Sequence, residues 1–192
     1  MRRAFATSLC VLLFAAVLLA VRMQPLPASA AAAPPEAPSS AIAVLASTTG
    51  SKAHGVVRFM ESGGKVKVVA EIEGLTPGQK HAFHVHEFGD VSTPDGMGTG
   101  GHYNPEGHDH GLPTQAKRHA GDLGNIEADA SGKAKYEITV DNISISGHNA
   151  ILGRGVIVHA KVDDGGQPTG NAGGRIAQGV IGVAKAAAAA AK

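Results

Sequence analysis

The sequence predicts an all-β fold, an antiparallel sandwich or barrel of about eight short strands with two long functional loops. Three observations carry that expectation. Lys65–Leu75 (KVKVVAEIEGL) alternates polar and apolar residues with a period of two, the pattern of a strand with one buried face. Glycine is abundant, 26 residues in 192, and falls between the apolar runs where tight turns need it. Aromatic residues make up 4% of the chain, which suits a core of small side chains.

Taken in order, the first apolar run after the leader region is Ala41–Ala46, followed by His54–Glu61. Gly63-Gly64 then makes a turn into Lys65–Leu75. His81–Phe88 is the fourth run. Asn125–Ala128 and Lys133–Val140 are joined by the turn Asp129-Ala130-Ser131-Gly132, and Ile151–Val162 and Arg175–Ala184 complete the set. Two stretches do not alternate, Gly89–Gly121 and Asp163–Gly174, and long ordered loops in a small domain usually carry function.

The ends read differently. Arg2 and Arg3 precede the apolar run Ala4–Val21, and Ala28-Ser29-Ala30 supplies small residues for cleavage, so residues 1–30 read as a secretory signal peptide and the protein as exported, to a periplasm or the cell exterior. Cys10 lacks the small-residue context of a lipoprotein site. Residues 31–41 are a flexible Pro/Ala-rich linker, 42–185 the folded domain, and 186–192 a disordered Ala-rich tail. Loss of 1–30 removes Arg2, Arg3 and Arg22, leaving 14 basic residues against 16 acidic ones, a balance that argues against a nucleic-acid partner. It also removes the one cysteine and leaves no stable membrane anchor.

Six histidines and an aspartate fall within this domain at positions 84, 86, 102, 110, 119, 122 and 159. Histidine is a costly core filler because two ring nitrogens must be satisfied, whereas imidazole with carboxylate is what zinc or copper prefers. His84-Val85-His86 lies on a predicted strand, so both imidazoles share one face. His102, His110, His119 and Asp122 follow on the first long loop, His159 returns on a later strand, and Asp163 stands just beyond it, where a carboxylate can orient metal-bound imidazoles. The cluster reads as a metal site with room for more than one ion. His54, His81, His108 and His148 are assigned no role; His108 reads as a solvated histidine, and Asp95 and Asp109 as loop residues facing water.

The blocks HAFHVHEFGD, GGHYNPEGHDHG, RHAGDLGNI, GRGVIVHAKVDD and TGNAGGRIAQGVIG together resemble copper/zinc superoxide dismutase from about Ala41 to Lys185. The resemblance implies an eight-stranded Greek-key β-barrel of immunoglobulin-like sandwich type. It implies copper on His84, His86, His102 and His159, and zinc on His102, His110, His119 and Asp122, with His102 bridging the ions and Asp163 linking a ligand of each. It implies that Arg175 guides the substrate, superoxide, and that alternate reduction and reoxidation of copper yields oxygen and hydrogen peroxide, with His102 passing a proton. Phe88-Gly89, Ile151-Leu152-Gly153 and the GVIG end resemble the positions that form a homodimer. The chain departs from the family in two ways. Gln178 stands where a cysteine normally ties the first loop to the barrel, which leaves that loop less restrained, and the second loop, Asp163–Gly174, is short. A copper/zinc buffer or delivery protein on the same fold, and a copper-only dismutase, are the alternatives; His102 with Arg175 weighs against the first, and His110, His119 and Asp122 against the second.

Overall fold

A computed structural model describes residues 37–185, so the leader, most of the linker and the alanine tail lie outside the described residues. Nine strands follow in order: β1 Ser40–Ser47, β2 His54–Ser62, β3 Lys65–Glu73, β4 Lys80–His86, β5 Asp122–Glu127, β6 Ala134–Val140, β7 Gly155–His159, β8 Arg175–Val180 and the two-residue β9 Gly182–Val183. Among the described residues there is no α-helix, only a single 3-10 turn at Met97–Thr99, and no helix long and apolar enough to cross a membrane.

All the strand pairings are antiparallel, in the order β5-β4-β7-β8-β1-β2-β3-β6, with β9 also on β1. The neighbours β4 with β7, β8 with β1 and β3 with β6 are distant in sequence, and these crossovers make the nearly closed barrel a Greek key. Strand β1 joins the two halves: Ser40–Leu45 pair with β2, while Ala46 and Ser47 pair with β8. The register follows from the alternation. On β3 the even-numbered positions Val66, Val68, Ala70 and Ile72 all point into the core, while Lys65, Lys67, Glu71 and Glu73 face water. The Gly63-Gly64 turn is the tight two-residue hairpin expected, both glycines having positive φ (58° and 73°).

Several elements depart from the expected bounds. β1 begins at Ser40, because Ala41 pairs with Phe59 and is buried, so the last two residues of the Pro/Ala-rich stretch belong to the barrel. β5 begins at Asp122, three residues early. The run Ile151–Val162 yields only Gly155–His159, since Ala160 and Lys161 donate instead to Gly174 and Ala172 of the second loop. Ile181 breaks the last run into β8 and β9 by donating to the Arg154 carbonyl.

Phe59, Phe83, Ile72, Leu123, Ile126, Ile145 and Ile151 are the large side chains at the centre of the core. Each such side chain contributes on the order of 1.5–3 kcal/mol by leaving water. The two edge strands, β5 and β6, share no ladder. A side chain laces them: the Tyr136 hydroxyl of β6 donates to the Leu123 carbonyl of β5 at 2.7 Å, and its ring stands edge-on to Phe83 of β4 at 6.1 Å.

Candidate metal centre

Strand β4 is the platform of the site. Val85 points into the core, and His84 and His86 stand on the opposite face, as period-two geometry requires. That face is nevertheless buried, because the two long loops fold over it. Every expected ligand is inside, and the orienting Asp163 with them: His84, His86, His102, His110, His119, Asp122, His159 and Asp163 are all buried. A one-residue irregularity between Ala82 and His84 sets His84 opposite Asp122 of β5, and Val85, Tyr103 and Gly121 exchange backbone hydrogen bonds that bring the first loop back to the strand.

The side chains converge in two sets. His84, His86, His102 and His159 form one, and His102, His110, His119 and Asp122 the other; within each set one potential ligand atom per residue lies within 4.8 Å of the rest. His102 belongs to both. Its Nδ1 lies 2.9 Å from Asp122 Oδ1 and 3.3 Å from His119 Nδ1, while its Nε2 is buried without a hydrogen-bond partner. Since the two ring nitrogens point to opposite sides, one imidazole can serve both sets.

Orientation comes from a ring of hydrogen bonds behind the ligands. Asp163 accepts from His84 Nε2 at 2.9 Å through Oδ2 and from His110 Nε2 at 2.9 Å through Oδ1, which leaves the Nδ1 atoms of both histidines facing the centre. These contacts account for the grouping of His84, His110 and Asp163 without a third ion. His86 Nδ1 donates to Gly100 O at 2.9 Å and His159 Nδ1 to Gly173 O at 3.3 Å, so their Nε2 atoms turn toward each other, 3.3 Å apart. Two imidazole nitrogens aimed at one another satisfy neither lone pair unless a cation lies between them.

The fit to metal rests on unsatisfied atoms. His84 Nδ1, His102 Nε2 and His110 Nδ1 are buried without partners. His110 Nδ1 lies 3.0 Å from Asp122 Oδ2 yet outside hydrogen-bond geometry, as two ligands of a common ion would. Such groups cost about 1–3 kcal/mol each when left alone. Burial pushes His84 down to about 4 and His159 down to about 3, and lowers His86 further, so their lone pairs are free at neutral pH. Burial also lowers His110, but the adjacent Asp122 carboxylate and the hydrogen bond to Asp163 outweigh that and raise it to about 9. The Asp122 and Asp163 carboxyls stay ionised: burial opposes this, and the His102 bond, the nearby His110 ring and the Gly111 N–H at Asp122, with the bonds from His110 and His84 to Asp163, overcome it.

Arg175, at the start of β8, has both terminal nitrogens engaged. Nη1 donates to Gly96 O at 2.6 Å and Thr99 Oγ1 at 2.8 Å, and Nη2 to Gly100 O at 2.6 Å. The guanidinium lines one cavity with His86, His102 and His159, so it both holds the first loop and faces the four-histidine set.

Several supporting residues are invisible to a reading of motifs. Gln178 is buried, and its Nε2 donates to Thr93 O at 2.9 Å and reaches Val91 O at 3.5 Å. The first loop is therefore tied to the barrel by a side-chain amide, a restraint the cysteine-to-glutamine change did not suggest. Gln167 pairs with the backbone of His110 in both directions, Oε1 accepting at 3.0 Å and Nε2 donating at 2.8 Å. Asn125 does the same for Asp163, at 2.9 and 2.7 Å. Gly170 has φ +74°, and a Cβ there would collide with Asp163 Oδ1 and crowd His110 Nε2. Of the histidines without an expected role, His81 is packed, donating Nδ1 to His159 O at 2.9 Å, whereas His54 and His148 are exposed and His108 is partly buried.

A barrel that packs two imidazole-rich sets around one shared histidine is a binuclear metalloprotein of the copper and zinc type. Residues 53–181 match the family model for copper/zinc superoxide dismutase (SODC). The chain is 49% identical over 156 residues to "Superoxide dismutase [Cu-Zn]" of Paramecium bursaria Chlorella virus 1, covering 77% of this chain and 80% of that one. It is 49% identical over 150 residues to "Superoxide dismutase [Cu-Zn] 2" of Brassica juncea, covering 74% and 96%. The crystal structure of the clock protein EA4 superposes with a TM-score of 0.70 at 44% identity, over 77% of this chain and 96% of that one. The chain belongs to the copper/zinc superoxide dismutase family, whose cofactors are copper and zinc.

Proposed function

We propose that this chain is an exported enzyme that converts superoxide to oxygen and hydrogen peroxide, with one copper and one zinc per subunit. The observation that carries the proposal is the position of His102, shared by both sets in a cavity that Arg175 also lines. Copper on His84, His86, His102 and His159 supplies a redox centre that alternates between two oxidation states, and zinc on His102, His110, His119 and Asp122 supplies a fixed charge. The protein's own residues do the rest. Arg175 draws the anion into the cavity and orients it. His102 Nε2 would carry a proton only while it is not engaged by copper, and would give it to the reduced dioxygen product, whose second proton comes from water. Asp163 fixes the rings of His84 and His110 against one another.

The composition of residues 1–30 supports export, with periplasm or cell exterior as the destination. An apolar patch supports a homodimer. Phe88, Val180 and Val183 are 58%, 37% and 63% exposed, and a Cβ on Gly89 would meet Val180 and the Gly153 carbonyl, which sets the Phe88-Gly89 segment against β8 and the Gly153 turn. Sedimentation equilibrium of the wild type and of Phe88→Glu is expected to show a dimer and a monomer; a monomeric wild type would remove this reading.

The test of function is superoxide decay measured on the mature chain together with copper and zinc content. Rapid decay at one of each metal per subunit is the expected result. Full loading with no decay above the metal-free protein would overturn the proposal in favour of a copper/zinc buffer or delivery role.

A further inference from the structure

The cavity over the four-histidine set is lined by residues of both signs. Besides the imidazoles, the full charges on its wall are Arg175 and Asp95; the remainder, including Thr49, Met97 and Thr169, are neutral. Asp95 is exposed and lines this space without an ion pair to Arg175, whose two terminal nitrogens are directed at loop oxygens. Its carboxylate is fixed by the local chain, because Oδ1 accepts from the Met97 N–H at 2.9 Å. Hydrogen bonding from Met97 and Thr93 keeps the acid ionised, and Arg175 adds to that. The loop that presents Asp95 is held by Gln178 and by Thr49, whose N–H donates to Pro94 O at 2.7 Å. A negative charge is therefore built in at the mouth, one residue away in sequence from the Gly96 carbonyl that anchors the guanidinium.

We propose that Asp95 is a selectivity-determining residue, a fixed negative charge that opposes Arg175 and restrains the arrival and binding of small anions at the cavity. The inference rests on the reading of the cavity as the copper site. The electrostatics are simple: a monoanion approaching Arg175 must pass the field of a carboxylate of the same sign, and with Asp95 present the two wall charges cancel at a distance. What remains for attraction is the difference in their distances to the anion. Restraint of this kind acts on every anion but unequally: a small monoanion that reaches Arg175 closely loses least, while bulkier or multiply charged anions lose most.

Asp95→Asn isolates the charge, because the amide oxygen still accepts from Met97; Asp95→Ser keeps a local acceptor by a different group and guards against a folding artefact. The holoenzyme is used, and copper content is matched between variants. Two readouts are taken: kcat/KM for superoxide as a function of ionic strength, and the affinity of azide followed by the Cu(II) absorption band without turnover. Both are expected to rise by roughly two- to fivefold at low salt, the scale of one partly screened unit charge, and the gain is expected to shrink toward unity at about 0.5 M salt. Asp141→Asn, which makes the same charge change outside this cavity, is expected to leave both unchanged. Unaltered azide affinity and rate in both Asp95 variants, or a gain matched by Asp141→Asn, would overturn the inference. A wild type that takes up no copper would instead sink the parent reading, which the absorption band shows before any variant is compared.

Discussion

Stripping both metals from the loaded protein is expected to lower its melting temperature by on the order of 20 °C, and a thiol reductant is expected to leave it unchanged. Free metal at a thousandfold excess over its dissociation constant stabilises a site by about 4 kcal/mol, and each kcal/mol moves a domain of this size by about 2–4 °C. The loss extends beyond binding. Without cations, the buried His84 Nδ1, His102 Nε2 and His110 Nδ1 have no partner, and the two loops are closed over repelling or unsatisfied groups. The chain has a single cysteine, Cys10, so no intrachain disulfide is there to be reduced. Differential scanning calorimetry with chelator, and separately with reductant, reads both arms. A chelator shift of under about 5 °C would show that the barrel and its hydrogen bonds hold the loops alone.

Arg175→Ala is expected to lower kcat/KM for superoxide by about 10- to 100-fold at low salt, with copper and zinc content unchanged. Two effects act together. The variant removes the positive charge on the cavity wall, and it removes the bonds to Gly96, Thr99 and Gly100 that hold the first loop against β8. Arg175→Lys separates them, because lysine keeps the charge without the planar fork; it is expected to recover part of the rate and most of its salt dependence. Stopped-flow decay at several ionic strengths distinguishes the cases. If Arg175→Ala turns over as fast as wild type, the arginine is a loop anchor and nothing more.

Much of the barrel was legible because it depends on local chemistry. The alternation of Lys65–Leu75 fixes which side chains of β3 enter the core, and two glycines fix the hairpin before it. The His84-Val85-His86 pattern was equally plain, since a strand can present two such residues only on one face. The supports of the site were not. Gln178 reads as a lost cysteine until the carbonyl of Thr93 is found at its amide, and Gln167 as filler in a short loop until it is seen clasping the backbone of His110. Asp95 reads as a solvated loop carboxylate and is exposed, but that the course of Gly89–Gly101 sets it on the cavity wall is not written in the local sequence. In each case the partner lies dozens of residues away, on a path set by loops that have no periodicity to read. The early start of β5 has the same origin: Asp122 looks like loop in isolation and becomes strand because it lies opposite His84.

The seam between β5 and β6 bears on how such a site is filled. Along most of the barrel, neighbouring strands can part only by unzipping a row of amide bonds, the short β1–β8 junction having two residue pairs. Here the two strands are joined by the Asp129–Gly132 turn and fastened across the seam by one hydroxyl, Tyr136 to Leu123. One lip of the seam is β5, whose first residue is Asp122, the carboxylate of the second set. An ion gripped by that carboxylate and by the imidazoles beneath it draws the lip inward, so that capturing the cation and latching the barrel are a single mechanical act.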